Sequence, residues 1–186
     1  EVHGAISKGK EANIFHGEDQ NGKEVAIKIY RVATTGFKTK WSYLASDPRY
    51  RNVAKNPRKV ISLWAQREFS TLKTLHGKIR SPGPVAVNSN VVIMEFLGKN
   101  GLPYPLLKDT GPLSPEEDFK TVIDACKTMY KEGLIHADLS EYNILVYDDL
   151  YFIDFAQATV LEDPRAEEFL RRDIENVQKY FSHYID

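Results

Sequence analysis

The chain has 186 residues, 42% of them hydrophobic and 27% charged, with a formal net charge of −1. That length and balance suit a soluble, globular unit of one domain or two small lobes around a real core. No run reaches the ~20 apolar residues of a membrane span, the polar residues 1–10 do not read as a signal peptide, and one cysteine, Cys126, excludes an internal disulfide and suits a reducing, cytoplasmic setting.

Residues 2–7 and 13–17 read as short strands joined by Lys8-Gly9-Lys10-Glu11-Ala12. A glycine in such a turn lets backbone N–H groups approach phosphate oxygens, and Ser7, Lys8 and Lys10 add donors and charge. Taken alone, the segment also fits an ordinary hairpin turn. Residues 4–11 fall one residue short of a P-loop, because Glu11 stands where a Ser or Thr hydroxyl would meet Mg²⁺. Strand-like Ile14-Phe15 follows where a P-loop needs a helix, so that motif is rejected.

Residues 24–30, E-V-A-I-K-I-Y, form an apolar strand with Val25, Ile27 and Ile29 on one face and Ala26, Lys28 and Tyr30 on the other. Lys28 is either a phosphate-binding lysine or a strand-edge lysine that reaches water. Residues 31–59 carry eight basic side chains against Asp47 alone, a local +7 in a chain of net −1. With Gly36, Pro48 and scattered aromatics, residues 31–56 show no clean period and read as a mobile basic insertion. It serves either as a surface for RNA or an acidic partner, or as a solvated loop.

Residues 57–76 read as a helix, N-capped by Asn56 and opened by Pro57, with the stripe Val60, Trp64, Leu72 and Leu75. Glu68 falls in that stripe, where a carboxylate is costly unless paired. Lys28 is the obvious partner; the alternative places Glu68 at the stripe's edge, paired with Arg67 or Lys73. A hairpin over 85–95 then runs into Met94-Glu95-Phe96-Leu97-Gly98. This is either a plain edge strand or a hinge whose Glu95 and Leu97 backbone groups meet an adenine, with Met94 behind it.

Ser114-Pro115-Glu116-Glu117 reads as a capping box, and Phe119, Val122, Ile123, Cys126, Met129 and Tyr130 as the buried stripe of its helix. Gly133 leads into His136-Ala137-Asp138-Leu139-Ser140-Glu141-Tyr142-Asn143, then Ile153-Asp154-Phe155. Asp163 and Pro164 open a last helix with the stripe Leu170, Ile174, Val177, Phe181 and Tyr184. The H-x-D-x-x-x-x-N … D-F spacing resembles that of protein-kinase-like phosphotransferases. Asn143 and Asp154 offer the oxygen ligands that a hard divalent metal prefers, and Asp138 can orient or deprotonate an attacking hydroxyl or water.

Together, SKGKEAN over 7–13, VAIK over 25–28, NPRK over 56–59, MEF over 94–96, HADLSEYN over 136–143, IDF over 153–155 and RDIENV over 172–177 resemble the RIO kinases, an atypical serine/threonine protein-kinase family, and its first subfamily. The resemblance implies an α+β, trimmed two-lobe protein-kinase-like fold without the usual activation segment and peptide platform. The N-lobe over 1–95 would be an antiparallel sheet plus one helix, and 96–186 the hinge and a mainly helical C-lobe. It implies ATP with Mg²⁺ or Mn²⁺, autophosphorylation or ATPase activity, and a role in small ribosomal subunit maturation, with pre-ribosomal RNA or protein as partner and neither membrane nor DNA-sequence readout. By role, Lys28 would hold the α/β-phosphates with Glu68 orienting it, Ser7, Lys8, Gly9 and Lys10 would cover the triphosphate, and Asp138 would be the catalytic aspartate. Asn143 and Asp154 would bind metal, and Asp154 is also a candidate phosphoryl acceptor. The alternatives are a small-molecule phosphotransferase of the aminoglycoside or choline kinase type, for which the 32 residues after Asp154 leave little room, and a nucleotide-bound, non-catalytic assembly factor.

Overall fold

The structure, a computed structural model, describes residues 1–32 and 36–185. It opens with strands β1 (Val2–Lys8), β2 (Ala12–Glu18) and β3 (Glu24–Tyr30), then helices α1 (Phe37–Ser46) and α2 (Pro57–Leu75), then strands β4 (Pro84–Asn88) and β5 (Val91–Glu95). The five strands form one antiparallel sheet in the order β1-β2-β3-β5-β4. Local hairpins make most of it, and the long connection from β3 to β4, which carries α1 and α2, lets β5 pair with β3. Alternation turns Ala26, Lys28 and Tyr30 of β3 to the buried side. α2 lies against that side, its first turn capped by the Asn56 side-chain Oδ1, which accepts from the N–H groups of Arg58 and Lys59.

After the sheet come the short strands β6 (Gly98–Lys99) and β7 (Leu102–Pro103), helices α3 (Leu107–Thr110) and α4 (Pro115–Lys131), and strands β8 (Leu134–Ile135), β9 (Ile144–Val146), β10 (Leu150–Phe152) and β11 (Thr159–Val160). Helix α5 (Ala166–Phe181) follows. β9 and β10 form a hairpin and β8 pairs with β11, so the loops carrying residues 136–143 and 153–155 are drawn to the same end. One apolar core runs continuously from Tyr30, Trp64 and Leu72 to Phe152, Phe169 and Phe181.

Four sequence expectations are corrected. The stretch 31–56 is not irregular: it holds α1 and a 3-10 turn over Pro48–Tyr50, while residues 33–35 lie outside the described part. α1 packs on α2, and α2 is the helix that covers the sheet. The period was hidden because the buried face of α1 is Lys40, Tyr43 and Leu44, with a lysine in an apolar slot. The Ser114 hydroxyl does not cap α4; instead the Asp118 carboxylate reaches back to the entering chain, accepting from the N–H groups of Leu113 at 2.7 Å and Ser114 at 3.1 Å. Tyr130 on that helix is exposed. α5 starts at Ala166, not Pro164, and buries Phe169 and Asp173 where Leu170 and Ile174 were expected to lead.

Candidate active site

A cavity of about 350 Å³ opens between the sheet and the helical part. Its wall includes Ser7 from the end of β1, Gly9 and Lys10 from the β1–β2 loop, Lys28 from β3, and Asp138 and Asp154 from the loops after β8 and β10. The β1–β2 turn is tight: the Gly9 N–H donates to the Ala12 carbonyl at 2.9 Å, and a Cβ on Gly9 would press to 3.0 Å against that same oxygen. A side chain there would open the turn that holds backbone N–H groups over the cavity.

Lys28 is buried and its ammonium donates to two carboxylates, Glu68 Oε1 at 2.9 Å and Asp154 Oδ1 at 2.9 Å. Glu68 is 1% exposed and also accepts from the Tyr30 hydroxyl. The alternative pairing with Arg67 or Lys73 is thereby excluded; Arg67 instead donates to the carbonyls of Ala158 at 2.6 Å and Gln157 at 3.0 Å. Burial lowers the Lys28 pKa, but Asp154 and Glu68 more than offset it and hold the ammonium charged. For Glu68 burial wins and the pKa rises, despite Lys28. Burial also pushes Asp154 up, yet Lys28 outweighs it and keeps the carboxyl ionised. The Asp154 side chain stays 44% open, so a charged oxygen faces solvent in the cleft.

Across the floor, Asn143 Nδ2 donates to the Asp138 carbonyl at 2.7 Å and to Asp138 Oδ2 at 3.3 Å. The Ile153 N–H donates to the Asn143 carbonyl at 3.0 Å, which sets Asn143 and Asp154 side by side. The Asp138 pKa is pushed up to about 6 by burial and then by the charge of Asp154. A base with that pKa is mostly ionised at neutral pH and still accepts a proton readily. His136 is buried; its Nε2–H donates to the Ile153 carbonyl at 3.1 Å, and burial takes its pKa down to about 4. It therefore holds the loop as a neutral ring and is no acid–base group at neutral pH.

Helix α5 fixes the loop bearing Asp138 from behind. Asp173 is 1% exposed and accepts from the N–H groups of Ala137 at 2.8 Å and Leu139 at 2.9 Å, on either side of Asp138. Arg172 donates to the Ala137 carbonyl at 2.6 Å, and Asn176 to the Leu139 carbonyl at 3.3 Å. Ala137 sits at φ 65° and Asp154 at φ 61°, left-handed conformations that non-glycine residues adopt only where surroundings impose them.

Not every expected residue reaches the cavity. Glu68 and Asn143 act on it through Lys28 and Asp138. Lys8 ends β1, and Met94, Glu95 and Leu97 stand outside the cavity wall. The Glu95 N–H donates to the Gly83 carbonyl at 2.8 Å and the Leu97 carbonyl accepts from Tyr104 at 3.0 Å, so those two groups are already engaged. Asp173 was missed as a site residue, although a carboxylate among the apolar positions of a helix is the same signal that exposed Glu68.

The donor set fits a magnesium nucleotide. Among the described residues no cluster of three His, Cys, Asp or Glu forms a complete metal cage. Two hard oxygen donors, Asp154 and the Asn143 amide, are what a Mg²⁺ shared with substrate phosphates needs from protein.

Comparison with known proteins agrees with this geometry. The RIO domain family model matches residues 13–186. The serine/threonine-protein kinase Rio1 of Methanocaldococcus jannaschii is 41% identical over 184 residues, covering 97% of this chain and 63% of the relative. The Haloferax volcanii Rio1 is 37% identical over 96% of this chain and 62% of its own length, and the human RIO1 38% over 99% and 34%. The chain thus spans about one to two thirds of the length of these curated relatives. Among solved structures, the Chaetomium thermophilum Rio2 kinase in an ADP/Mg²⁺–phosphoaspartate complex superposes with a TM-score of 0.73 at 24% identity, covering 98% of this chain and 56% of that one. The family model over residues 13–186 and the Rio1 relatives, in agreement with this site, place this chain in the RIO family, in its Rio1 subfamily.

Proposed function

We propose that this chain is the catalytic part of an ATP-dependent atypical serine/threonine protein kinase. The observation that carries the reading is Lys28, buried and bonded at once to Glu68 and to Asp154 in a cavity whose wall bears Asp138, itself held by Asn143. A lysine so held presents a fixed cation to nucleotide phosphates. Asn143 and Asp154 would hold Mg²⁺, which when bound neutralises charge on the phosphates. Asp138 would take the proton of a serine or threonine hydroxyl as its oxygen attacks the γ-phosphorus and the bond to ADP breaks. The names of the Rio1 relatives support the same activity.

A second reading makes Asp154 the acceptor. One Asp154 carboxylate oxygen would attack the γ-phosphorus, ADP would leave, and water would later cleave the acyl phosphate. Its support is the open, ionised Asp154 carboxylate and the phosphoaspartate named in the Rio2 complex. ATP turnover would then act as a switch. The family's work on the small ribosomal subunit would give the exposed Arg31, Lys38, Arg51, Lys55, Arg58 and Lys59 an RNA-facing role.

The test follows γ-labelled ATP with Mg²⁺ in wild type and Asp138→Ala. Label on serine or threonine, lost in the variant, supports the kinase. Free phosphate with a transient, hydroxylamine-sensitive protein adduct supports the Asp154 reading. No label transfer and no release in wild type sinks both.

A further inference from the structure

Glu11 is an odd residue to find in a loop that covers phosphates. Its carboxylate belongs to the cavity wall, where a bare negative charge would repel a nucleotide. It is not bare. Lys40, on the α1 helix within the basic stretch, bonds it at 3.0 Å. Lys40 is 3% exposed, whereas the Glu11 side chain is 52% exposed. A buried ammonium with a half-exposed partner needs further support. The face of Trp64 supplies it, 5.7 Å from the Lys40 nitrogen. Gly36 makes the room: a Cβ there would approach the Lys40 nitrogen to 3.4 Å and the Glu11 carboxylate to 3.5 Å, at a φ of 87° that a side chain would resist.

The other end of α1 is fastened to the opposite side of the cavity. Tyr43 stacks on Phe169 of α5 with ring centroids 5.1 Å apart and an interplanar angle of 9°. The Tyr43 hydroxyl accepts from Arg172 at 3.3 Å, and Arg172 donates onward to the Ala137 carbonyl, next to Asp138. Arg165 donates to the Ser42 carbonyl at 2.9 Å and to the Ser46 hydroxyl at 2.6 Å. A continuous set of contacts therefore runs from the phosphate loop through α1 to the catalytic loop.

We propose that Lys40 is a positioning residue for the nucleotide: by holding Glu11 against α1, it neutralises the one acid of the β1–β2 loop and fixes the height of that loop above Asp138. The proposal rests on the reading of the cavity as an ATP site. Lys40 acts through Glu11 and need not touch the nucleotide. Its loss should weaken Mg·ATP binding while leaving the Asp138 chemistry in place.

The experiment compares wild type, Lys40→Met, Glu11→Gln and the exchanged pair Glu11→Lys/Lys40→Glu, with Lys28→Met as the control for the site. KM for Mg·ATP, kcat and direct binding of Mg·ATP are measured, with thermal melts alongside. Lys40→Met should raise KM about tenfold, the size of one lost charge contact, while kcat moves by less than about twofold. The exchanged pair should recover most of the loss, which a merely structural defect would not allow. Where Lys40→Met fails to fold, Glu11→Gln tests the loop-fixing part from the exposed partner: the repelling charge goes but so does the ion pair that holds the loop, so KM should rise by less than in Lys40→Met, with kcat nearly kept. An unchanged KM in the folded variants, an equal fall in kcat, or an exchanged pair no better than either single change overturns the proposal and leaves the ATP site standing. A wild type that binds no Mg·ATP removes the ATP reading and this proposal together; the Lys28→Met control separates the two failures.

Discussion

Two buried carboxylates hold the two halves of the site, and they do so by different chemistry. Glu68 on α2 binds side chains, the Lys28 ammonium and the Tyr30 hydroxyl. Asp173 on α5 binds backbone, the N–H groups flanking Asp138. The first arrangement places a charge that a ligand can use. The second places a loop, so that a side chain with a raised pKa points into the cleft. Positioning a cation takes a counter-ion, whereas positioning a loop takes an acceptor for amides that no strand or helix satisfies.

Breaking the side-chain half should cost most. Lys28→Met leaves Glu68 and Asp154 without their cation, so stability in urea should fall by about 3–5 kcal/mol and Mg·ATP binding should vanish. Retained binding by calorimetry would show that the cation is not what the pair provides. The backbone half comes next. Asp173→Ala strands two buried N–H groups at about 1–3 kcal/mol each, and kcat should fall with stability because Asp138 loses its fixed loop. Asp173→Asn, which keeps one acceptor oxygen, should fall between wild type and Asp173→Ala in both readouts.

Asp173 should also mark the pH dependence of stability. Burial pushes Asp173 up to about 7, against the pull of the Leu139 and Ala137 amides and of Arg172. A folded-state pKa above the ordinary carboxyl value means that the folded protein keeps a proton the unfolded chain has released. Its contribution to stability is therefore greatest below the ordinary value and is lost as pH rises toward about 7. Urea melts at a series of pH values should show that decline in wild type and a flatter profile in Asp173→Asn. An identical slope in both would remove Asp173 as its source. The smallest effect is expected for Tyr43→Phe, which deletes only the hydroxyl that accepts from Arg172. About 1 kcal/mol or less should be lost, with Mg·ATP affinity nearly unchanged because the ring still stacks on Phe169.

The same contrast explains what could be read from the sequence. Glu68 was legible because a charge in an apolar stripe demands a partner and Lys28 was on offer in a nearby strand. Asp138, Asn143 and Asp154 were legible through their spacing. Asp173 signals a cost but names no partner, since its partners are main-chain amides that every residue carries. Lys40 went unseen for a related reason: a lysine on the buried face erased the helical period of 37–46, and its partner Glu11 lies in a loop with no period at all. The sheet, set by alternating strands and an N-capped helix, followed its pattern closely.

The Lys28–Asp154 bond has a consequence for biosynthesis. Its two ends are 126 residues apart in sequence, while every strand of the five-stranded sheet has been made once Glu95 is joined to the chain. A nascent chain can thus pair its strands and close Lys28 onto Glu68 well before any carboxylate exists to complete the cleft. Local pairings form ahead of distant ones because short loops lose less entropy on closing. On the proposed reading, nucleotide capture is a late checkpoint of synthesis: only a chain that has emerged beyond Asp154, and has docked α5 behind Asp138, would have a complete place to hold ATP.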